Sequence, residues 1–242
     1  MKANKKFENL DLEFWANIKL LNQRLGYTIR KTKKNPDGGF VVPSIEQIKT
    51  VFEDEKLSTE RLIQNDKLTD FGQKIVDYMK FRGELFTKEV EPNLMNKDQA
   101  KALFYKTKKA NKPKCPLPMN KQKKEKKDYS FLTGLVNMII EKNKGNLGCN
   151  YDPKELTALT ENGFPIRTLS RRVDGAFPSV IDPKAIWEIK EYYYTTTFGS
   201  RVADGVYETQ LDGWELWEAK ENIGREIKHY LFVDDHFTWW GM

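Results

Sequence analysis

Apolar residues in the first 80 positions recur at helical rather than strand spacing. The clearest stretch places them at i, i+4, i+7 and i+11, and its members are Phe14, Ile18, Leu21 and Leu25. This periodicity predicts an amphipathic helix that Asp11 caps at its start and that ends at Gly26.

Two further helices and a shorter one are predicted within residues 1–82. Ser44 and Gln47 fit a capping box in front of an apolar face, and another helix starts near Thr69. A short helix is expected after Ser58. Short helices in succession suit either a helix-turn-helix module that contacts DNA or an ordinary helical bundle. We therefore expect a helical region in which DNA recognition is one of two interpretations.

Residues 83–127 break this pattern, because apolar positions become sparse and lysine becomes frequent. From Lys101 to Lys127 there are 11 lysines and a single acid, a local charge of +10, whereas the rest of the chain sums to −4. This composition predicts an extended arm or linker. The lysines expected to contact nucleic-acid phosphates are Lys121, Lys123 and Lys124. A solvated linker without any partner would have the same composition.

Residues 128–242 are expected to form a mixed α/β (α+β) core. A helical apolar face runs from Phe131 to Ile140, and a short helix is expected from Pro153 to Gly163. The period then changes, and the predicted order is strand, strand, helix, strand over 166–173, 185–194, 204–220 and 227–233. An antiparallel pair followed by a crossover helix places the last strand parallel in the same sheet. The fold class is therefore a mixed β-sheet flanked by helices.

Composition disfavours several functional classes. No window of 18 apolar residues marks a membrane span, and the N-terminus lacks the apolar core of a secretion signal, so a cytoplasmic location is expected. The two cysteines form no CxxC pair, and the two histidines are too few for a histidine-rich zinc site. Neither a phosphate-binding loop nor a dinucleotide-binding glycine pattern occurs, which disfavours NTPases and Rossmann dehydrogenases.

Three residues that could carry chemistry lie at the two adjacent strands. Glu188 and Lys190 are two residues apart along a strand and therefore share one face. Asp182-Pro183 is a turn signal, and a turn there pairs residues whose numbers sum to about 362–364, which brings Asp174 opposite residues 188–190. Asp182 is a rival acid, but its separation from Glu188 is short for a strand, a turn and a second strand.

Two carboxylates and one ammonium on a shared patch indicate a site for a divalent cation. Adjacent anions repel each other, and Mg²⁺ prefers oxygen ligands while it keeps several of its waters. Asp174 and Glu188 could supply two ligands and the carbonyl of Ile189 a third, with Mn²⁺ as an alternative ion. Such a cation polarises a phosphoryl oxygen and activates a bound water, and Lys190 could stabilise the charge that develops on the phosphate.

The pattern of Asp174, thirteen intervening residues and Glu188-Ile189-Lys190 resembles the PD-(D/E)xK nuclease superfamily, and within it the type II restriction endonucleases. The resemblance covers about residues 166–233, and no proline precedes the aspartate. It implies that Asp174 and Glu188 are metal ligands and that Lys190 is the catalytic lysine. It also implies a further polar residue on the next helix, here Gln210 with Glu208 behind it.

The same resemblance implies Mg²⁺-dependent hydrolysis of double-stranded DNA in a bacterial or phage restriction system. Cleavage of both strands calls for two active sites, so a homodimer is expected. The arginines expected to contact phosphates near the scissile bond are Arg167, Arg171 and Arg172, although surface charge on an edge strand explains them equally well.

Other functions fit the same sequence features. The chain could be a repair, transposition or phage-defence nuclease on the same core, or a nuclease that acts on RNA. It could also be a non-catalytic DNA-binding protein, or a module whose lysine-rich arm binds an acidic protein.

Overall fold

The computed structural model of this 242-residue chain describes residues 4–29, 33, 38–120, 128–193, 199–235 and 238. For residues 199–203 it describes the backbone alone. The chain divides into two compact units, Met1–Asn93 and Leu94–Met242. Its fold is mixed α/β with sheets flanked by helices, as the sequence predicts. Among the described residues, no helix has an apolar stretch long enough to span a lipid bilayer.

The described part of the first unit contains three α-helices, and the apolar periodicity predicted all three. They are α1 (Leu12–Leu25), α2 (Ile45–Asp54) and α3 (Asp70–Leu85). Their N-caps are Asp11, Ser44 and Thr69, each of which accepts a backbone hydrogen bond from the first turn. The capping box between Ser44 and Gln47 is complete in both directions. Two short hairpins accompany the helices, β1 (Thr28–Ile29) with β2 (Gly39–Phe40) and β3 (Ile63–Gln64) with β4 (Lys67–Leu68).

The short helix expected after Ser58 is wrong, because this segment forms a turn and the β3–β4 hairpin. Asn65 and Asp66 link the two strands, and both have positive φ angles, 50° and 56°. Two consecutive residues in this conformation make the tight turn that hairpins prefer. Leu62 and Ile63 are buried here, in one apolar core with residues of all three helices.

The extended arm expected over residues 83–127 is also wrong for its described part. This part contains the end of α3, two short helical turns (Phe86–Val90 and Glu91–Asn93) and α4 (Lys97–Asn111). Asn96 caps α4 in a complete capping box, and the helix buries Phe104. Two buried apolar residues four positions apart, Ala100 and Phe104, therefore anchor the helix despite the charge of the segment. Lys121, Lys123 and Lys124 lie outside the described residues.

The second unit contains a four-stranded mixed sheet in the order β10-β9-β8-β5. Its strands are β5 (Asn150–Tyr151), β8 (Gly175–Phe177), β9 (Ala185–Lys190) and β10 (Lys228–Val233). β8 pairs antiparallel with β9 and β10 pairs parallel with it, which confirms the predicted hairpin and crossover. The crossover helix is α6 (Gly199–Ile223).

Two predictions upstream of this sheet fail together. The segment that begins at Pro153 forms no helix, and the strand expected over 166–173 is displaced. Instead, β6 (Ala158–Glu161) and β7 (Phe164–Thr168) form a separate hairpin. Asn162 and Gly163 have φ angles of 52° and 85°, so this Asn-Gly pair closes a hairpin rather than a helix.

A helix covers each face of β9. Trp187 packs with residues of α5 (Phe131–Asn143) on one face, and Ile186 packs with Leu216 of α6 on the other. Because strand residues alternate between faces, Glu188 and Lys190 lie on the α6 side, with Ile186.

Candidate active site

The backbone pairing of β8 and β9 brings Asp174 next to Glu188. Gly175 lies opposite Trp187, so the numbers of paired residues sum to 362, within the predicted range. The Asp174 amide extends this pairing by donating a hydrogen bond to the Trp187 carbonyl over 3.1 Å. The register prediction is therefore confirmed.

Glu188 and Lys190 share one face of β9 and contact each other directly. Lys190 Nζ lies 2.9 Å from Glu188 Oε2, and the two residues are only 8% and 1% exposed. Lys190 Nζ also lies 2.6 Å from Glu208 Oε2 on α6. Burial alone would lower the pKa of Lys190, but the hydrogen bonds to Glu208 and Glu188 raise it above its usual value, so the side chain stays an ammonium.

The Asp174 carboxylate lies against the backbone between Glu188 and Lys190. Its Oδ2 accepts a hydrogen bond from the Ile189 amide at 2.7 Å. Its other oxygen accepts no hydrogen bond from the part of the chain that the structure describes. Burial, and then the negative charge of Glu188, raise the pKa of Asp174 to about 6. The negative charge of each of these two neighbouring carboxylates thus disfavours ionisation of the other.

Arg171 holds both oxygens of Glu188. Its Nη1 lies 2.9 Å from Oε1 and its Nη2 lies 3.2 Å from Oε2, the paired geometry that suits a guanidinium and a carboxylate. Burial pushes the pKa of Glu188 upward, but hydrogen bonds from Arg171 and Lys190 outweigh it and hold the pKa below its usual value. Glu188 is therefore ionised in the folded chain.

Two acids on one face of α6 complete the cluster. Asp212 Oδ2 lies 2.6 Å from Arg171 Nη1, and Glu208, four residues earlier, reaches both Lys190 and Arg171. Asp212 is fully buried, and this burial raises its pKa to about 6. Together with Asp174 and Glu188, the cluster holds four carboxylates against two cations.

A cleft of about 660 Å³ opens beside this cluster. The first turns of α5 supply Thr133 and Asn137 to its wall, and the segment before α5 supplies Asn120 and Ser130. Glu191 fixes that wall, because its Oε2 accepts hydrogen bonds from Thr133 N at 3.0 Å and from Thr133 Oγ1 at 2.9 Å. The cleft therefore has a charged floor from β9 and a polar side from α5.

Two family models match the chain. The model described as domain of unknown function DUF7687 matches residues 95–242, and the model described as DUF7690 matches residues 1–89. The chain belongs to the DUF7687 family. No curated protein and no solved structure matches it. The DUF7687 match contains every residue of the cluster and of the cleft.

Several predicted site residues lie elsewhere in the DUF7687 region. Gln210 is on the exposed side of α6, because the helix turns Glu208 and Asp212 toward the sheet instead. Asp182 accepts hydrogen bonds from Thr160 N and Oγ1 at 2.8 and 2.5 Å, so this rival acid links the connection between β8 and β9 to β6. Neither residue lines the cleft.

The three predicted phosphate-binding arginines have different surroundings. Arg167 pairs with Glu215 and Glu218 of α6, and Arg171 pairs with the acids of the cluster. Both positive charges are thus neutralised within the chain. Arg172 is exposed and remains accessible to a ligand.

The sequence prediction missed the roles of Arg171, Glu208 and Asp212. A signal existed in the DUF7687 sequence, since Glu208, Asp212 and Glu215 recur at i, i+4 and i+7 on one face of a helix. Without the positions of Arg167 and Arg171, an acidic stripe of this kind predicts only a helix face that is exposed to solvent.

Proposed function

We propose that this chain is a metal-dependent nuclease that hydrolyses phosphodiester bonds of double-stranded DNA, of the PD-(D/E)xK kind and resembling type II restriction endonucleases. The observation that carries the proposal is the meeting of Asp174, Glu188 and Lys190 at one end of the β8–β9 pair, beside a cleft.

The donor set suits a hard divalent cation. Asp174, Glu188 and the Ile189 carbonyl would hold it, and water would complete its oxygen ligands. With every group ionised, the cluster carries a net charge of −2, which one divalent ion would offset. No group of three or more His, Cys, Asp or Glu side chains suited to a metal occurs among the described residues, so the cation would depend on this pair of carboxylates. When bound, the ion would supply Lewis acidity toward a phosphoryl oxygen.

Other side chains of the site would stabilise charge or position the reactive groups. Lys190, kept as an ammonium, would stabilise the negative charge that builds up on the phosphate. Arg171 positions Glu188 by contacting both of its oxygens. Glu208 holds Lys190 from the α6 side. These contacts place the reactive groups before a substrate enters.

Cleavage of a mixture of bacterial and phage genomic DNA tests the proposal, because a short recognition sequence occurs in such a mixture by chance. We expect the wild-type chain to cut it with Mg²⁺ and not with a chelator. Lys190→Ala and Asp174→Asn should each lower the rate by about 100-fold or more. Lys184→Ala is the matched control, since this exposed lysine immediately precedes β9, at the end of the strand opposite to Lys190.

Two results would overturn the proposal. One is the absence of any Mg²⁺-dependent cutting by the folded wild-type chain. The other is undiminished cutting by Lys190→Ala or Asp174→Asn, which would remove that residue from the active site.

A further inference from the structure

Helix α4 has one exposed face with charges of a single sign. Four of its members recur on the helix at i, i+4, i+7 and i+8, and they are Lys101, Tyr105, Lys108 and Lys109; the fifth, Lys112, is the C-cap residue that directly follows the helix. Residues at this spacing lie side by side on a helix. Tyr105, in the middle, is 45% exposed. We call these five residues the α4 basic face.

The positive charge of this face is only partly compensated by the chain. Lys101 Nζ lies 3.1 Å from Asp128, and Lys108 Nζ donates to the Tyr129 hydroxyl at 2.9 Å and lies over its ring. Lys109 and Lys112 pair with no acid among the described residues. Like charges at neighbouring helical positions destabilise a helix slightly, and a bound polyanion would offset this cost.

The α4 basic face adjoins the cleft. Met119 and Asn120 line the cleft, and they pair with the backbone of Tyr129 and Asp128, with Asn120 N 2.9 Å from Asp128 O. Asp128 and Tyr129 are the same residues that Lys101 and Lys108 contact. The α4 basic face and the cleft therefore adjoin the same short segment, which contains Asp128 and Tyr129.

We propose that the α4 basic face is the surface along which duplex DNA lies when its backbone enters the cleft. This inference rests on the proposed nuclease function and names the surface that holds its substrate. From Lys101 to Lys112 the chain advances 11 residues, about 16 Å at the helical rise. Duplex DNA carries a charge about every 1.7 Å along its axis, so several phosphates fall within that length. Lysine ammonium groups contact phosphates without regard to sequence, whereas the cleft performs the chemistry.

Duplex binding as a function of salt tests this surface. The full chain is titrated with a fluorescent duplex in chelator, so that binding is measured without cleavage. Lys109→Gln/Lys112→Gln should bind at least about tenfold more weakly at 0.1 M salt, and its slope of log affinity against log salt should shrink by about 1.8. The matched control is Lys184→Gln/Lys220→Gln, which removes the same charge from exposed lysines outside α4 and should change neither quantity.

The outcomes separate this inference from the proposed function. An unchanged slope for Lys109→Gln/Lys112→Gln, or an equal loss in the control, overturns the surface even if the chain cuts DNA. The expected slope change in a chain that cuts nothing supports the surface and counts against the nuclease. If the α4 variant instead loses binding to polyglutamate and keeps its DNA affinity, the face binds an acidic protein and the inference fails.

Discussion

The two units differ most in what they bury. Among the described residues, the buried side chains of the first unit are apolar except for Asn22. The described part of the second unit buries five acidic or basic side chains, which are Glu188, Lys190, Asp212, Glu215 and Asp234. A buried charge is costly unless it is paired, so the second unit depends on the partners of these side chains. The proposed function would use two of them, Glu188 and Lys190, at the end of β9.

One arginine in each unit sharpens this comparison. Arg82 of the first unit donates to the neutral Asn22 Oδ1 at 2.7 Å and lies over the Tyr27 ring. Arg171 of the second unit pairs with Glu188 and Asp212, which are both buried. Removal of Arg82 leaves an amide without a donor, whereas removal of Arg171 leaves two buried carboxylates without their main cation.

Arg171→Met should therefore have the largest effect on stability. We expect it to lower the free energy of unfolding by about 3–5 kcal/mol, because unpaired buried charge is strongly destabilising. Arg82→Met should cost about 1–2 kcal/mol, the scale of an unsatisfied neutral group. Urea unfolding measures both, with exposed Arg172→Met as a control that should stay within about 0.5 kcal/mol. Equal losses for Arg171→Met and Arg82→Met would contradict the contrast between the two interiors.

A smaller effect is expected from the proton that Asp212 holds. Because its pKa is about 6 rather than 3.8, the folded chain binds this proton between about pH 4 and pH 6, where the unfolded chain has lost it. The contribution of Asp212 to the free energy of unfolding therefore falls as pH rises through that window, by up to about 3 kcal/mol.

Asp212→Asn removes this proton and isolates its contribution from that of His229, whose imidazole lies 4.0 Å away. We expect the variant to become more stable relative to wild type as pH increases from about 4 to 7, as measured by urea unfolding across the range. The prediction is contradicted if the difference in the free energy of unfolding between the two proteins stays constant with pH or changes in the opposite direction. Either result would show that the pKa of Asp212 is not raised by folding.

Local signals made much of the architecture predictable. The capping box at Ser44 and the helical spacing of Phe14, Ile18 and Leu21 identify two helices directly. The turn signal at Asp182-Pro183 predicted the register of β8 and β9, and with it the meeting of Asp174 and Glu188. Each of these features depends on residues close together in the sequence.

Two of the failed predictions depend on contacts that are distant in the sequence or on a misleading composition. The lysines of α4 concealed Phe104, whose ring packs on Phe131 of the next helix at 5.6 Å between centroids. Gln210 was expected in the site, but which face of α6 meets the sheet is decided by Arg171 and the apolar contacts of Leu216. The register of two strands can be predicted from the turn between them. The face that a helix turns toward the sheet depends on contacts throughout the core.

The central claim is that Asp174 and Glu188 act together as one divalent-cation site. Calorimetric titration of the full chain with Mn²⁺ or Ca²⁺, in the absence of DNA, measures this without reliance on catalysis. We predict one site in the wild-type chain, with affinity at least about tenfold weaker in Asp174→Asn and in Glu188→Gln and unchanged in Lys184→Gln, because removal of either carboxylate leaves too few oxygen ligands. Cation binding by Asp174→Asn that equals wild type, or no binding by the folded wild-type chain, would contradict the claim.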